Sequence, residues 1–378
     1  MTRLVLSKNV INIVILISLS ALLLSSCSST PDATEEHSIF YPALPDQPRI
    51  QFLTTFSGSN RQGVEKNSFA DFILGGKTAA DTQTGIIKPY GVAFYNNLIY
   101  VVDTRLPGYV IVNLQDQIIK SVRGSGSARF IKPINITIDT DGTKYITDTG
   151  RSKVMIYDKD DNFIRSIGSK TTMRPADVLI MNDRLYVSDL KNHEIHVLDK
   201  RTGGRYFTIG KLGSAANHFF YPTNLAKTLE GDIFVSDTGN FSVKRYTRSG
   251  SFIEQVGEIG TGLGHFARPK GVAVDHKGRL YVVDAAFENV QLFDRHNQVL
   301  VFFGGAGLRP GNINLPTDVE ISYDSVGVFQ KYAKPGFKIE YLIFVTSQFG
   351  PFKVNVYGFG TLDMQKYNDE LGDELTKE

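Results

Sequence analysis

The chain has one cysteine, Cys27, in 378 residues. An internal disulfide is therefore impossible, and so is a metal site built from several thiolates. An excess of one charge is missing too. The 41 basic and 39 acidic side chains leave a net +2, far from the basic surplus of a dedicated nucleic-acid binder. A bilayer-spanning run is also lacking at the N-terminus. The apolar stretch Val10 to Leu24 is broken by Asn12, Ser18 and Ser20, is short for a span, and has no stop-transfer flank. What remains is 42% apolar and 21% charged, ample for a buried core.

What is present is a repeat. A Pro precedes a short apolar strand, and a second apolar strand then usually ends in Asp. The prolines are Pro89, Pro133, Pro175, Pro222, Pro269 and Pro316, spaced by 44, 42, 47, 47 and 47 residues. The second strands end at Asp103, Asp148, Asp189, Asp237 and Asp284. A period of this length built only from short strands predicts an all-β fold, a β-propeller with four strands per blade. Five complete blades fall between about residues 88 and 304, and a sixth begins at Pro316 without an outer strand of its own. The segment from Arg49 to Gly58 reads like the fourth strands of other blades, such as Phe163 to Gly168. It is expected to complete the last blade from the N-terminal side, because an open ring leaves two unpaired sheet edges.

The blades Ile146 to Asp158, Val235 to Tyr246 and Tyr281 to Asp294 resemble NHL repeats. The resemblance covers residues 49–360 and implies a six-bladed propeller. It does not imply one function, since such folds host binding scaffolds and enzymes alike. The sixth blade departs from the pattern, with Thr346-Ser347 in place of the usual Asp and an insertion over 323–338. Residues 64–76 break the strand pattern, and their apolar spacing predicts a short helix ending at Gly75-Gly76.

The N-terminus reads as a targeting segment over 1–26, with Arg3 and Lys8 ahead of the apolar run. Leu24-Ser25-Ser26-Cys27 resembles a bacterial lipobox. That resemblance implies cleavage before Cys27 and lipidation of its thiol, with several acyl chains giving stable anchoring. Ser28 rather than Asp follows, which implies an outer-membrane address in the cell envelope, facing the periplasm or the surface. Residues 27–48 would be the lipidated cysteine and a flexible tether, and 361–378 an acidic, solvated tail.

Chemistry is less legible. The repeated Asp serves every blade, which suits turn hydrogen bonding better than catalysis. Asp139 to Gly142 and Asp158 to Asn162 resemble fragments of calcium loops but lack the bidentate Glu, and both fall where hairpin turns are due. A divalent cation such as calcium is the only cofactor they would suggest. Metal-dependent propeller lyases and lactonases place His beside the channel. Here Tyr90, Ile134, Ala176, Thr223, Lys270 and Thr317 follow the repeat prolines instead. Charge does recur at the channel mouth. Lys88, Lys132, Arg174 and Arg268 precede four of the prolines, and Asn135, Asp177, Asn224 and Asp318 lie two residues after four of them. Such a ring would attract an acidic peptide, a glycan acid or a phosphate; the same side chains also suit a solvated rim. The expectation is a membrane-anchored binding or scaffold module for a protein or envelope polymer, with no nucleic-acid partner. The alternative is a metal-dependent lyase, lactonase or hydrolase that uses the channel.

Overall fold

The computed structural model describes residues 40–57, 85–114 and 119–375. Cys27, the apolar leader and the segment 64–76 lie outside the described residues. Six antiparallel sheets are present, five of four strands and one of five. The innermost strands are Pro89–Tyr95, Pro133–Ile138, Pro175–Met181, Pro222–Lys227, Pro269–Val274 and Pro316–Ser322. We number the blades I to VI in that order. Each innermost strand touches the next, and Pro316–Ser322 of blade VI touches Pro89–Tyr95 of blade I, so the ring closes.

The strands form where β-branched and aromatic residues run for five to seven positions between turn residues. Second strands such as Leu280–Asp284 are buried at every position, because neighbouring blades cover both faces. Outermost strands alternate instead, as in Phe252–Val256, where Ile253 is exposed. The hairpin of blade I turns on Asn96-Asn97, both with positive φ, the pair that a two-residue turn matched to strand twist requires.

The core is six clusters, one at each blade interface. Met155 and Ile136 of blade II pack on Tyr100 of blade I; Phe94 of blade I stacks on Phe344 of blade VI at 5.1 Å. Burial is thus a closed cycle, and no blade has an uncovered face.

Strand β1 (Phe40–Tyr41) and strand β2 (Ile50–Phe56) belong to blade VI. Strand β2 pairs with Val354–Leu362 from Ile50↔Phe359 to Phe56↔Val354, which is the expected N-terminal closure. The ordered fold starts earlier than the repeat pattern indicates. Phe40 lies inside the segment expected as tether, yet it is buried against Phe337 and Tyr367. The segment expected as a solvated tail likewise forms the helix Met364–Leu375, because Tyr367 supplies an apolar contact to the same cluster. The insertion in blade VI contains the short helix Val326–Phe329, with Phe329 in the core. The described residues lie in one compact unit.

Candidate functional site

Two loop families gather on one side of the ring: the linkers that lead into each repeat Pro, and the turns after each second-strand Asp. We call this the proline side. The Asp residues tie the two families together. Asp148 is fully buried and accepts N–H bonds from Ile131, Lys132 and Arg151. Asp103 does the same for Ile87, Lys88, Arg105 and Leu106. Their carboxylates are consumed as hinge acceptors, which is the turn chemistry expected from their recurrence. In blade VI, Ser347 Oγ takes over part of this task and accepts from the Asn314 N–H at 3.3 Å.

The eight residues singled out in the sequence divide into two groups. Asn135, Asp177, Asn224 and Asp318 lie around the axis as one buried layer. The cause is a register shift just after each repeat Pro, which turns the following side chains inward. Asn224 Nδ2 donates to Asp318 Oδ1 at 3.2 Å, and Asn135 bonds Asp177. The other oxygens accept backbone N–H groups, from Val92 to Asp318 and from Leu225 to Asp177. Blades I and V supply Gly91 and Gly271 at this level. A Cβ on Gly91 would fall 2.0 Å from Asn135 Oδ1, so the layer fits only because those blades are bare. Burial pushes the Asp177 carboxyl up to about 7, and it pushes Asp318 well above the usual range, helped by the nearby Asp177 charge. Glu320, on the same inner strand as Asp318, is raised to about 8 by burial and then by Asp177. These oxygens are the groups that could hold a cation on the axis.

The second group is the rim. Lys132, Arg174 and Arg268 are exposed, and Lys88 is half-buried with its ammonium 5.1 Å from the Phe349 ring. Their backbones are fixed by the hinge aspartates, so their side chains are left to point outward. Lys270, two residues past Arg268, is lowered to about 8 by burial and then by the Arg268 charge. The structure adds basic residues that the spacing did not single out: Arg105, Arg151 and Lys191, in the turns that follow the hinge aspartates of blades I to III. The signal was present, as each stands two or three residues past a hinge Asp.

Beside the mouth, between blades II and IV, is a depression of about 490 Å³ lined by Lys170, Arg174, Lys191, His193 and Tyr221, with no carboxylate in its lining. Lys191 Nζ is held by the carbonyls of Lys170 and Thr171. His193 Nδ1 accepts the Tyr221 N–H at 3.0 Å, so in the neutral ring the proton is on Nε2. The imidazole stacks on Phe220 at 5.4 Å. Three cations, an imidazole donor and an aromatic wall suit an anionic group.

Two other clusters are explained by folding. Lys144, buried, places its ammonium on the carbonyls of Asp158 and Lys159 and 2.9 Å from Asp161 Oδ1. The loop that resembles a calcium fragment thus already holds an internal cation. Asp139 accepts from Lys200, and Asp141 from the Thr143 N–H, as a turn would. Asp189, Glu194 and His196 converge within 4.8 Å of one another. Here His196 pairs with the hinge Asp189 as Lys244 pairs with the hinge Asp237 one blade later. Position for position these are the same balancing contact.

No protein-family model and no curated relative matches the chain. Solved structures do match in fold. A structural genomics protein of unknown function from Bacteroides thetaiotaomicron is 19% identical, with a TM-score of 0.58 over 83% of this chain and 76% of that one. An auxiliary nutrient binding protein from the same organism is 12% identical, TM-score 0.58, over 82% and 76%. A gluconolactonase from Xanthomonas campestris is 15% identical, TM-score 0.54, over 72% and 86%. At these identities the likeness establishes the propeller and nothing about activity.

Proposed function

We propose that the protein is a bacterial envelope lipoprotein, anchored through Cys27, whose NHL-like propeller is a binding or scaffold module. Its partner is a protein or envelope polymer that presents acidic groups to the proline side. One observation carries the reading: the rim cations Lys88, Lys132, Arg174 and Arg268 share the proline side with a depression whose three cations, Arg174 among them, have no carboxylate in the lining. The structural likeness to a nutrient binding protein is in keeping with recognition as the task. The test is fluorescence anisotropy of a labelled polyglutamate with residues 38–378, wild type against Lys132→Glu/Arg174→Glu. Binding should weaken by about five-fold per charge altered and fall with salt. Equal binding by the variant removes the reading. Loss of radiolabelled lipid in Cys27→Ala tests the anchor.

A channel enzyme is the second reading, favoured by the buried Asp177 and Asp318 oxygens about the axis. Stoichiometric metal in purified protein, lost in Asp177→Ala/Asp318→Ala, would select it.

A further inference from the structure

The two sides of the ring differ in more than charge. Among the described residues, the loops of the proline side contain only two carboxylates, Glu258 and Glu288, and Glu288 Oε1 is engaged by the Leu315 N–H. The opposite side carries exposed acids such as Asp141, Asp160, Asp183, Glu230 and Asp324. Among the described residues, charge is thus strongly polarised between the two sides.

The proline side is itself divided. Basic residues are densest in the loops of blades I to III, while the linkers into blades IV, V and VI carry one exposed cation each, Lys211, Arg268 and Arg309. The linkers into blades IV to VI also push aliphatic side chains into solvent: Leu212 at 58% exposed, Ile259 and Leu263 each at 66%, and Leu308 at 74%, with Ile131 their one counterpart in the linker into blade II. Folding does not require this. In the same linkers Phe219, Phe266 and Ile313 are fully buried and do the packing. The neighbouring aromatics Phe220, Tyr221 and Phe349 are also exposed at this mouth. On the opposite side the exposed large apolar residues are Leu44, Leu229, Tyr323 and Tyr332.

We propose that the proline side lies on an anionic lipid bilayer. The aliphatic linkers of blades IV to VI enter the boundary between headgroups and acyl chains, and the basic loops of blades I to III pair with lipid phosphates. Cations beside protruding aliphatic and aromatic side chains are the combination a membrane surface selects. A purely polar polyanion would leave Leu212, Ile259, Leu263 and Leu308 in water, whereas a bilayer accommodates both sectors at once. On the lipidation reading, the thirteen steps from Cys27 to Phe40 reach at most about 45 Å; Phe40 joins the fold beside Phe337 and Tyr367, on the opposite side, so the tether bounds the distance to the membrane and does not choose the side. The inference rests on the binding reading for the cationic loops and puts lipid phosphate in place of the acidic partner there, because the apolar sector has a role that no acidic partner explains.

The experiment is sedimentation of residues 38–378 with vesicles of phosphatidylcholine alone, or of phosphatidylcholine mixed with phosphatidylglycerol. The mixed vesicles should bind and the neutral ones should bind far less. Ile259→Asp/Leu263→Asp, at exposed positions, should weaken binding about ten-fold or more. Lys132→Glu/Arg174→Glu should weaken it about five-fold per charge. Leu229→Asp, on the opposite side, should leave it unchanged. Equal sedimentation of the apolar variant and wild type, no preference for the mixed vesicles, or complete displacement by inorganic phosphate at constant ionic strength would overturn the proposal. Polyglutamate binding that is lost in Lys132→Glu/Arg174→Glu while vesicles are ignored would defeat the bilayer and leave the binding module standing.

Discussion

Asn224 of blade IV donates its side-chain amide to Oδ1 of Asp318 in blade VI, 3.2 Å away, past the bare Gly271 of blade V. The contact joins non-adjacent blades at the axis, and it depends on blade V having no side chain at that level. A Cβ on Gly271 would lie 2.5 Å from the Asp318 Cα, a backbone atom that cannot swing aside. Gly271→Ala should therefore destabilise the ring by about 1–3 kcal/mol through overpacking, read as a lower urea midpoint.

The buried carboxyls make stability depend on pH. A carboxyl whose folded value is raised holds its proton more tightly in the fold than in the unfolded chain. Its contribution is complete below the ordinary carboxyl value and is lost as pH rises through the folded value. For Asp177 that window runs from 3.8 to about 7. Lys270, lowered to about 8, adds its own slope only above the window. The hinge carboxyl of Asp189, lowered chiefly by its His196 bond once burial is offset, acts below it. Asp318 and Glu320 are raised through the same range and add to the slope. The stability of the wild type, read by urea, should thus fall from about pH 5 to about pH 8 by an amount on the order of a few kcal/mol, and Asp177→Asn should make that fall shallower without abolishing it.

Lys144 tests the internal cation. Its ammonium is buried among two carbonyls and the Asp161 carboxylate, which also takes the Tyr109 hydroxyl and Lys120. Lys144→Met keeps the bulk but strands those acceptors. A loss of about 3–5 kcal/mol is expected by chemical denaturation, as for other broken buried pairs.

The hinge aspartates should be structural in each of blades I to V. Asp148→Ala leaves three backbone donors short of an acceptor and should cost about 2–4 kcal/mol, with the melting temperature as readout. Asp284→Ala should behave alike, because Asp284 accepts from Ala267, Arg268, Ala286 and Phe287.

The ring was legible because each blade must begin and end at the same place, so Pro and Asp mark the two ends of a constant unit. Strand β2 was legible for a similar reason, since its residues repeat the outer-strand pattern it completes. Strand β1 was not: two residues, Phe40 and Tyr41, cannot show a period, and tertiary contacts with Phe337, Tyr367, Phe303 and Tyr357 hold them in place. Of the candidate site, the rim cations were readable from their fixed place before Pro. The depth of Asn135, Asp177, Asn224 and Asp318 was not, because the register shift after Pro decides it and no local residue announces that shift. The partner of the Asp158 to Asn162 loop was hidden as well. Lys144 comes from a strand more than a dozen residues earlier, and only pairing brings them together.

Hydroxyl-radical footprinting of the full-length protein in native membranes, compared with free residues 38–378, asks which side of the ring is used. Protection should centre on residues 123–132, 168–174, 190–193 and 257–268, with the loops at 139–143 and 228–232 left reactive. Protection of those opposite loops instead, or the same reactivity in membranes and in solution, would show that the cationic side is a solvated rim and not a recognition surface.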